Sequence, residues 1–138
     1  MLDPATAQHL LKENFAPWVQ ALQPEITEIG PDQAVLEIPV RPEIARMGGI
    51  VCGQALATLA DTAMVFACAG RLGRFEPVAT TNLETRFLSA ARGEAVRCTA
   101  RVIKAGRAMK EMVQKAIAPE VAPDVAIPSP ATEASAEL

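Results

Sequence analysis

The stretch Gly53-Gln54-Ala55-Leu56-Ala57-Thr58-Leu59-Ala60-Asp61-Thr62-Ala63-Met64-Val65-Phe66-Ala67-Cys68-Ala69-Gly70-Arg71 decides how the chain folds. Leu56, Leu59, Ala60, Ala63, Met64, Ala67 and Cys68 recur at helical spacing. Val65 and Ala69 make the opposite side apolar as well. A helix apolar all round has to be buried, so residues from about 54 to 71 are expected to form a central helix. Gly70 and Gly73 supply its end.

Asp61 is the one ionisable residue well inside that helix. Burying a carboxylate without a partner costs several kcal/mol, on the order of the desolvation penalties of polar groups. Two readings meet that cost: catalysis, or a satisfied structural polar network. Upstream lies Gly48-Gly49-Ile50-Val51-Cys52-Gly53-Gln54. Its glycines let backbone approach a ligand, and the first amides of a helix point outward without intrahelical partners. Such a start is a ready oxyanion site, or simply a glycine loop that begins a helix.

On either side the periodicity changes. Residues 4–15 read as a helix, with Asp3 as N-cap and Pro4 in the first turn. Residues 24–29 and 34–40 alternate as strands around a turn at Pro31-Asp32, and 41–53 form an irregular loop. Residues 77–89 are rich in strand-forming residues. Ala91-Arg92-Gly93 is a turn, and 94–105 alternate through Val96, Cys98, Ala100 and Val102. Beyond Gly106 the pattern fails. Met109, Met112, Val113, Ala116 and Ile117 fall at helical spacing, and 119–138 is a Pro/Ala/Glu segment expected to be a disordered tail. The expected organisation is one α+β domain over 1–118 with the sheet wrapped around the central helix.

Composition narrows the function. Half of the 138 residues are hydrophobic and 21% are charged, as in ordinary globular chains. No uninterrupted apolar run is long enough to span a bilayer, and the first residues lack a basic, apolar leader. A cytoplasmic protein without a membrane partner is the expectation. Cys52, Cys68 and Cys98 are odd in number and scattered, and His9 is the only histidine, so neither disulfides nor a metal site is expected. The net charge of -3 hides an uneven spread: -5 over 1–70, +6 over 71–118 and -4 over 119–138. The basic middle suits a small phosphorylated ligand, or is a solvated strand surface. Nucleic acid is not expected, because aromatic side chains for stacking are scarce. No G-x-S-x-G elbow marks a serine hydrolase.

Gly53-Gln54-x-x-x-x-Leu59-Ala60-Asp61-Thr62-Ala63-Met64 resembles the helix signature of hot-dog-fold thioesterases, nearest to the phenylacetyl-CoA thioesterase-like group. Thr80-Thr81-Asn82-Leu83-Glu84-Thr85-Arg86-Phe87-Leu88 resembles that group's next strand, and Ala90-Ala91-Arg92-Gly93 its next turn. The resemblance spans about residues 19–107. It implies a hot-dog fold, no cofactor, a CoA thioester substrate, and a homo-oligomer that is a dimer or a dimer of dimers. Asp61 matches the carboxylate that attacks the thioester or activates water. Gly53 matches the glycine whose amide polarises the carbonyl. Arg92 stands where the phosphates of CoA are often contacted, and Arg46, Cys52, Gln54 and Asn82 stand around the substrate. Three positions depart from the pattern. Cys52 replaces a histidine, Gln54 a glycine, and Arg46 an asparagine or glutamine.

Cys52 is a rival nucleophile, since a helix N-terminus activates a thiol, but no histidine lies near it in sequence. The hot-dog dehydratases need a histidine beside the carboxylate, and His9 belongs to the N-terminal helix. A catalytically weak or inactive acyl-CoA-binding protein is the alternative function. The family closes its sheet with one or two further strands after Gly106-Arg107. Here that region reads as a shifted frame or a truncated sheet, which would leave 94–105 as an exposed edge.

Overall fold

The structure is a computed structural model. It describes residues 1–80 and 82–103 in full, and the backbone of Lys104, Met112–Glu120 and Thr132–Glu137. Helix α1, Pro4–Asn14, begins as its sequence demands. Asp3 is extended, and its carboxylate accepts hydrogen bonds from the Thr6 amide at 2.8 Å and the Thr6 hydroxyl at 3.0 Å. These bonds hold the Asp3 carboxyl below its ordinary pKa. A short helix α2, Pro17–Gln20, leads into strands β1, Glu25–Ile29, and β2, Gln33–Pro39. A two-stranded ladder of β3, Ala45–Arg46, and β4, Ile50–Val51, then delivers the chain to the central helix α3, Gly53–Leu72. Strands β5, Asn82–Arg86, β6, Ala95–Lys104, β7, Met112–Glu120, and β8, Thr132–Glu137, complete the order.

Six strands form one antiparallel sheet in the order β1-β2-β6-β7-β8-β5. Its concave face closes on α3. Leu36, Ile38, Val96, Cys98 and Ala100 from β2 and β6 meet Leu56, Leu59, Ala60, Ala63, Met64 and Ala67 from α3, all buried in one cluster. Phe66 is fully buried and stacks on Phe15, with ring centroids 5.5 Å apart; Phe75 lies at 6.2 Å on a tilted plane. A sheet wrapped around one apolar helix is the hot-dog α+β architecture. By length and composition α3 could also cross a bilayer, contrary to the expectation from its sequence, but 61% of that window is buried inside this chain. It serves here as the core helix.

At the C-terminal end of α3 the backbones meet directly. A Cβ on Gly70 would lie 2.1 Å from the Gly30 carbonyl oxygen in the β1–β2 turn, so only glycine fits. Arg71 Nη1 contacts Asp32 Oδ1 of the same turn at 2.5 Å. Gly73 closes the helix with φ +72°.

The C-terminal third departs from the sequence reading. Residues 112–120 are a strand, which decides a choice between helix and strand that the apolar spacing over 108–118 leaves open. β6 is therefore paired on both edges and is not exposed. Val113, Lys115 and Ile117 stand opposite Val102, Ala100 and Cys98 in the register. Lys115 interrupts the apolar alternation on that side, which is why the residues read at helical spacing. Strand β7 runs past the boundary expected at 118, and β8 lies within the segment expected to be a disordered tail. β8 joins β7 to β5, pairing Arg86 opposite Glu133 and Asn82 opposite Glu137. A strand of sequence TEASAE offers few apolar side chains, and its place rests on backbone pairing, which hydrophobic patterning does not register. The expected turn at Gly106 and the rest of the 119–138 segment lie outside the described residues.

Candidate active site

The N-terminus of α3 is held by the β3–β4 ladder. Its connection, Met47-Gly48-Gly49, carries two successive left-handed residues, Gly48 at φ +79° and Gly49 at φ +72°, a conformation suited to glycine. The Val51 amide donates to the Ala91 carbonyl at 2.9 Å, and the Cys52 amide to the Ile44 carbonyl at 2.8 Å. The chain is thus moored on both sides just before Gly53.

Cys52 occupies the N-cap, and its side chain makes no capping hydrogen bond. A serine, threonine, asparagine or aspartate at this position would occupy an amide of the first turn. The thiol takes up none of the first-turn amides that such a cap would bond, those of Gln54 and Ala55. Beside them opens a cavity of about 360 Å³, lined by Arg46, Ile50, Val51, Gly53, Leu56, Phe87, Ser89, Ala90 and Ala91. Its walls are chiefly apolar. Phe87 lies so close to Gly53 that a Cβ there would come within 3.1 Å of the ring.

Two cations stand near this opening. Arg46 lines it, and Arg92 Nη2 lies 4.0 Å from where a Cβ on Gly48 would be. Both are exposed, and among the described residues neither forms an ion pair. Much of the remaining basic charge is spent locally: Arg71 contacts Asp32, Arg74 Glu76, Arg86 Glu84 and Arg97 Glu37. Among the described residues of the basic middle, Arg71, Arg74, Arg86 and Arg97 are thus paired, and Arg92 is not.

Asp61 is half-buried rather than enclosed. It lies on a stripe of α3 with Gln54, Ala57, Thr58 and Val65, none of which is fully buried in the single chain. Thr80, just before β5, donates its hydroxyl to Asp61 Oδ1 at 2.6 Å. The neighbouring hydroxyls serve α3 itself: Thr58 donates to the Gln54 carbonyl and Thr62 to the Thr58 carbonyl, each at 2.8 Å. Asp61 does not line the Gly53 cavity. Eight residues of helix separate the two, roughly 12 Å along the axis.

The structure therefore brings together Gly53 and Arg46, with Arg92 close by, and sets Asp61 apart with Thr80. Cys52 is half-buried at the helix start. Gln54 and Asn82 are exposed and do not line the cavity. Sequence reasoning assigned no role to Thr80, although it lies within the strand-like stretch quoted above. It also passed over Phe87 and Ser89, whose positions depend on how the chain returns past α3. A second hollow of about 350 Å³ lies between α1, α2 and β1. Two of its amide side chains are already committed: Gln8 bonds Pro24 and Ile26, and Gln20 bonds Lys12 and Phe15.

Comparison with known proteins agrees with this fold. A family model described as the thioesterase superfamily matches residues 48–121, from the glycine turn through β7. No curated protein sequence matches the chain. Solved structures match over nearly their whole length. Zebra fish thioesterase superfamily member 2 is 20% identical with a TM-score of 0.78, covering 99% of this chain and 98% of its own. A thioesterase from Haemophilus influenzae is 20% identical, TM-score 0.78, covering 99% and 90%. A thioesterase family protein from Silicibacter pomeroyi is 18% identical, TM-score 0.77, covering 95% and 91%. At these identities the structural likeness establishes the fold.

Proposed function

Since the chain belongs to the thioesterase superfamily, we propose that it hydrolyses an acyl- or aryl-CoA thioester in sites shared between two copies of itself. The observation that carries this reading is the division just described. An open helix start at Gly53 can receive a carbonyl oxygen, and a hydroxyl-partnered carboxylate lies on the same helix but outside that cavity. A nucleophile or base must come within about 3–3.5 Å of its target while the oxyanion donor sits about 3 Å from the oxygen. One copy of α3 does not span that gap. Two copies packed antiparallel do, with Asp61 of one facing Gly53 of the other. The half-exposed stripe through Ala57, Asp61 and Val65 is suited to such packing.

In this arrangement the Gly53 amide polarises the thioester carbonyl. Asp61 either attacks the carbonyl carbon and expels the CoA thiolate, leaving an anhydride for water to cleave, or takes a proton from the attacking water. Thr80 fixes the carboxylate's orientation. Arg46 and Arg92 offer charge to the phosphates of CoA. The departure of Arg46 and Cys52 from the family pattern bears on the acyl group accepted and on how water is held.

Complementation tests the whole reading. Asp61→Asn removes the carboxylate's chemistry at nearly constant shape and should lower turnover at least about 10³-fold, the scale of losing a nucleophile or base. Gly53→Pro removes the amide donor. Proline suits the first helical position, Cys52 at φ -66° and ψ 147° suits the residue before it, and the half-exposed Phe87 ring can yield. Each homodimer should be inactive on a panel of CoA thioesters followed by thiol release. After exchange of equal amounts, half the dimers are mixed and each has one intact site, so about one quarter of wild-type activity should return. No recovery despite confirmed exchange would mean that each chain uses its own pair. A wild-type protein that binds the panel without turnover would be an acyl-CoA-binding protein instead.

A further inference from the structure

The hollow between α1, α2 and β1, at about 350 Å³, is nearly as large as the Gly53 cavity. Ligand pockets run from about 300 to 1,000 Å³, so it fits one compact molecule. Two glutamines hold its walls in place. Gln8 accepts from the Ile26 amide at 2.8 Å and donates to the Pro24 carbonyl at 2.9 Å, which ties α1 to β1. Gln20 donates to the Lys12 and Phe15 carbonyls at the end of α1. The third glutamine, Gln23, is different. It is the one non-glycine residue with positive φ among the described residues, at +57°. It ends the turn after α2, its amide donating to the Gln20 carbonyl at 2.9 Å. Glycine is the usual residue in such a place, because a Cβ disfavours the left-handed region. A glutamine there lowers stability, and its exposed side chain bonds nothing among the described residues.

Charge narrows the occupant. Lys12 and Glu25 both line the hollow, both are exposed, and among the described residues neither forms an ion pair. An anion alone would meet Lys12 and be repelled by Glu25, and a cation alone the reverse. Leu11 and Pro24 are buried and give the hollow an apolar floor. A small molecule with both charges and an apolar part answers all of these groups together. We propose that the hollow binds a free α-amino acid with an apolar side chain. Its carboxylate meets Lys12, its ammonium group meets Glu25, its side chain rests on Leu11 and Pro24, and the Gln23 amide adds a hydrogen bond. This site is separate from Gly53 and Asp61 and does not depend on the thioester reading.

Calorimetry with L-leucine, L-methionine and L-phenylalanine tests it. The compounds 4-methylpentanoate and 3-methylbutylamine are leucine with one charge removed. At least one of the three amino acids should bind, and the one-charge compounds should bind more weakly than leucine by about tenfold or more, the scale of a charge-assisted hydrogen bond. Lys12→Gln and Glu25→Gln should each weaken the bound amino acid by a similar factor. Both residues are exposed, so the free variants should melt near the wild-type temperature. Gln23→Gly separates binding from structure. It relieves the left-handed backbone, so without ligand the variant should melt higher, by about 2–4 °C. Its affinity for the amino acid should fall about five- to tenfold, the value of one neutral hydrogen bond. Binding of none of the three amino acids, equal binding of the one-charge compounds, or unchanged affinity in the Lys12 and Glu25 variants would each overturn the proposal. So would a Gln23→Gly protein that melts lower than the wild type or binds the amino acid as tightly.

Discussion

The two ends of α3 are built on opposite terms. The C-terminal end is closed. Gly70 presses on the Gly30 carbonyl, Arg71 grips Asp32, Gly73 turns the chain out of the helix, and Phe66 lies between Phe15 and Phe75. The N-terminal end is left open. Its cap residue makes no side-chain bond, its cavity wall carries an unpartnered hydroxyl, and Arg46 has no counter-charge among the described residues. Unmet polar groups stand at one end and met ones at the other of a single element. The closed end fixes the helix, and in the proposed reading the open end is the part left for a ligand.

The sharpest way to break this contrast is Gly70→Ala. The added methyl would meet the Gly30 carbonyl oxygen at 2.1 Å and Ile29 Cγ1 at 3.2 Å, backbone that cannot swing aside. The helix or the β1–β2 turn must move. We expect a loss of about 3 kcal/mol or more, as for overpacked cores, and a melting temperature lower by roughly 10 °C. A variant that melts like the wild type would show that the closed end is not closed.

Nearer the open end, Thr80→Val keeps the side-chain shape and removes the hydroxyl that holds Asp61. Turnover should fall about 10- to 100-fold, with the melting temperature nearly unchanged, because a misdirected carboxylate loses more in reaction than in stability. Thr80→Ser should restore most of it. Equal loss in both variants would point to packing of the methyl group rather than to the hydrogen bond. The smallest effect belongs to Arg71→Ala. The Arg71–Asp32 pair is about half exposed on both sides, so its removal should cost less than about 1 kcal/mol in thermal or urea unfolding. A larger cost would mean that the ion pair, and not the glycine contact, locks the closed end.

These two ends were unequally legible in the sequence. The central helix, its stop at Gly73 and the alternation in β2 and β6 follow from periodicity, because a core residue reveals itself by recurring on one face. Gly53 and Asp61 stand out in the sequence only through the motif they share, and the roles proposed for them rest on it. Thr80 and Ser89 were not assigned: a single hydroxyl carries no period, and its partner is fixed only when distant segments meet. Asp61 was expected to be buried, yet its stripe of α3 is half open, since an apolar helix face does not reveal how far the sheet of the same chain covers it. β7 stayed undecided between helix and strand, and β8 was missed, for a different reason. Lys115 breaks the alternation of one, and the other has little apolar content, so backbone pairing with β6 and β5 overrides what their side chains suggest.

The hydrogen bond from Thr80 to Asp61 has a mechanical side. It fastens the chain between α3 and β5 to the middle of the helix, so the carboxylate assigned to chemistry also works as a clasp. Alanine at 61 would undo both at once: the reactive oxygens would vanish and the stretch from Gly73 to Thr80 would lose its tether. Asparagine keeps an oxygen that can still accept from the threonine. Two substitutions at one position therefore ask different questions, and the gap between their melting temperatures measures the clasp alone.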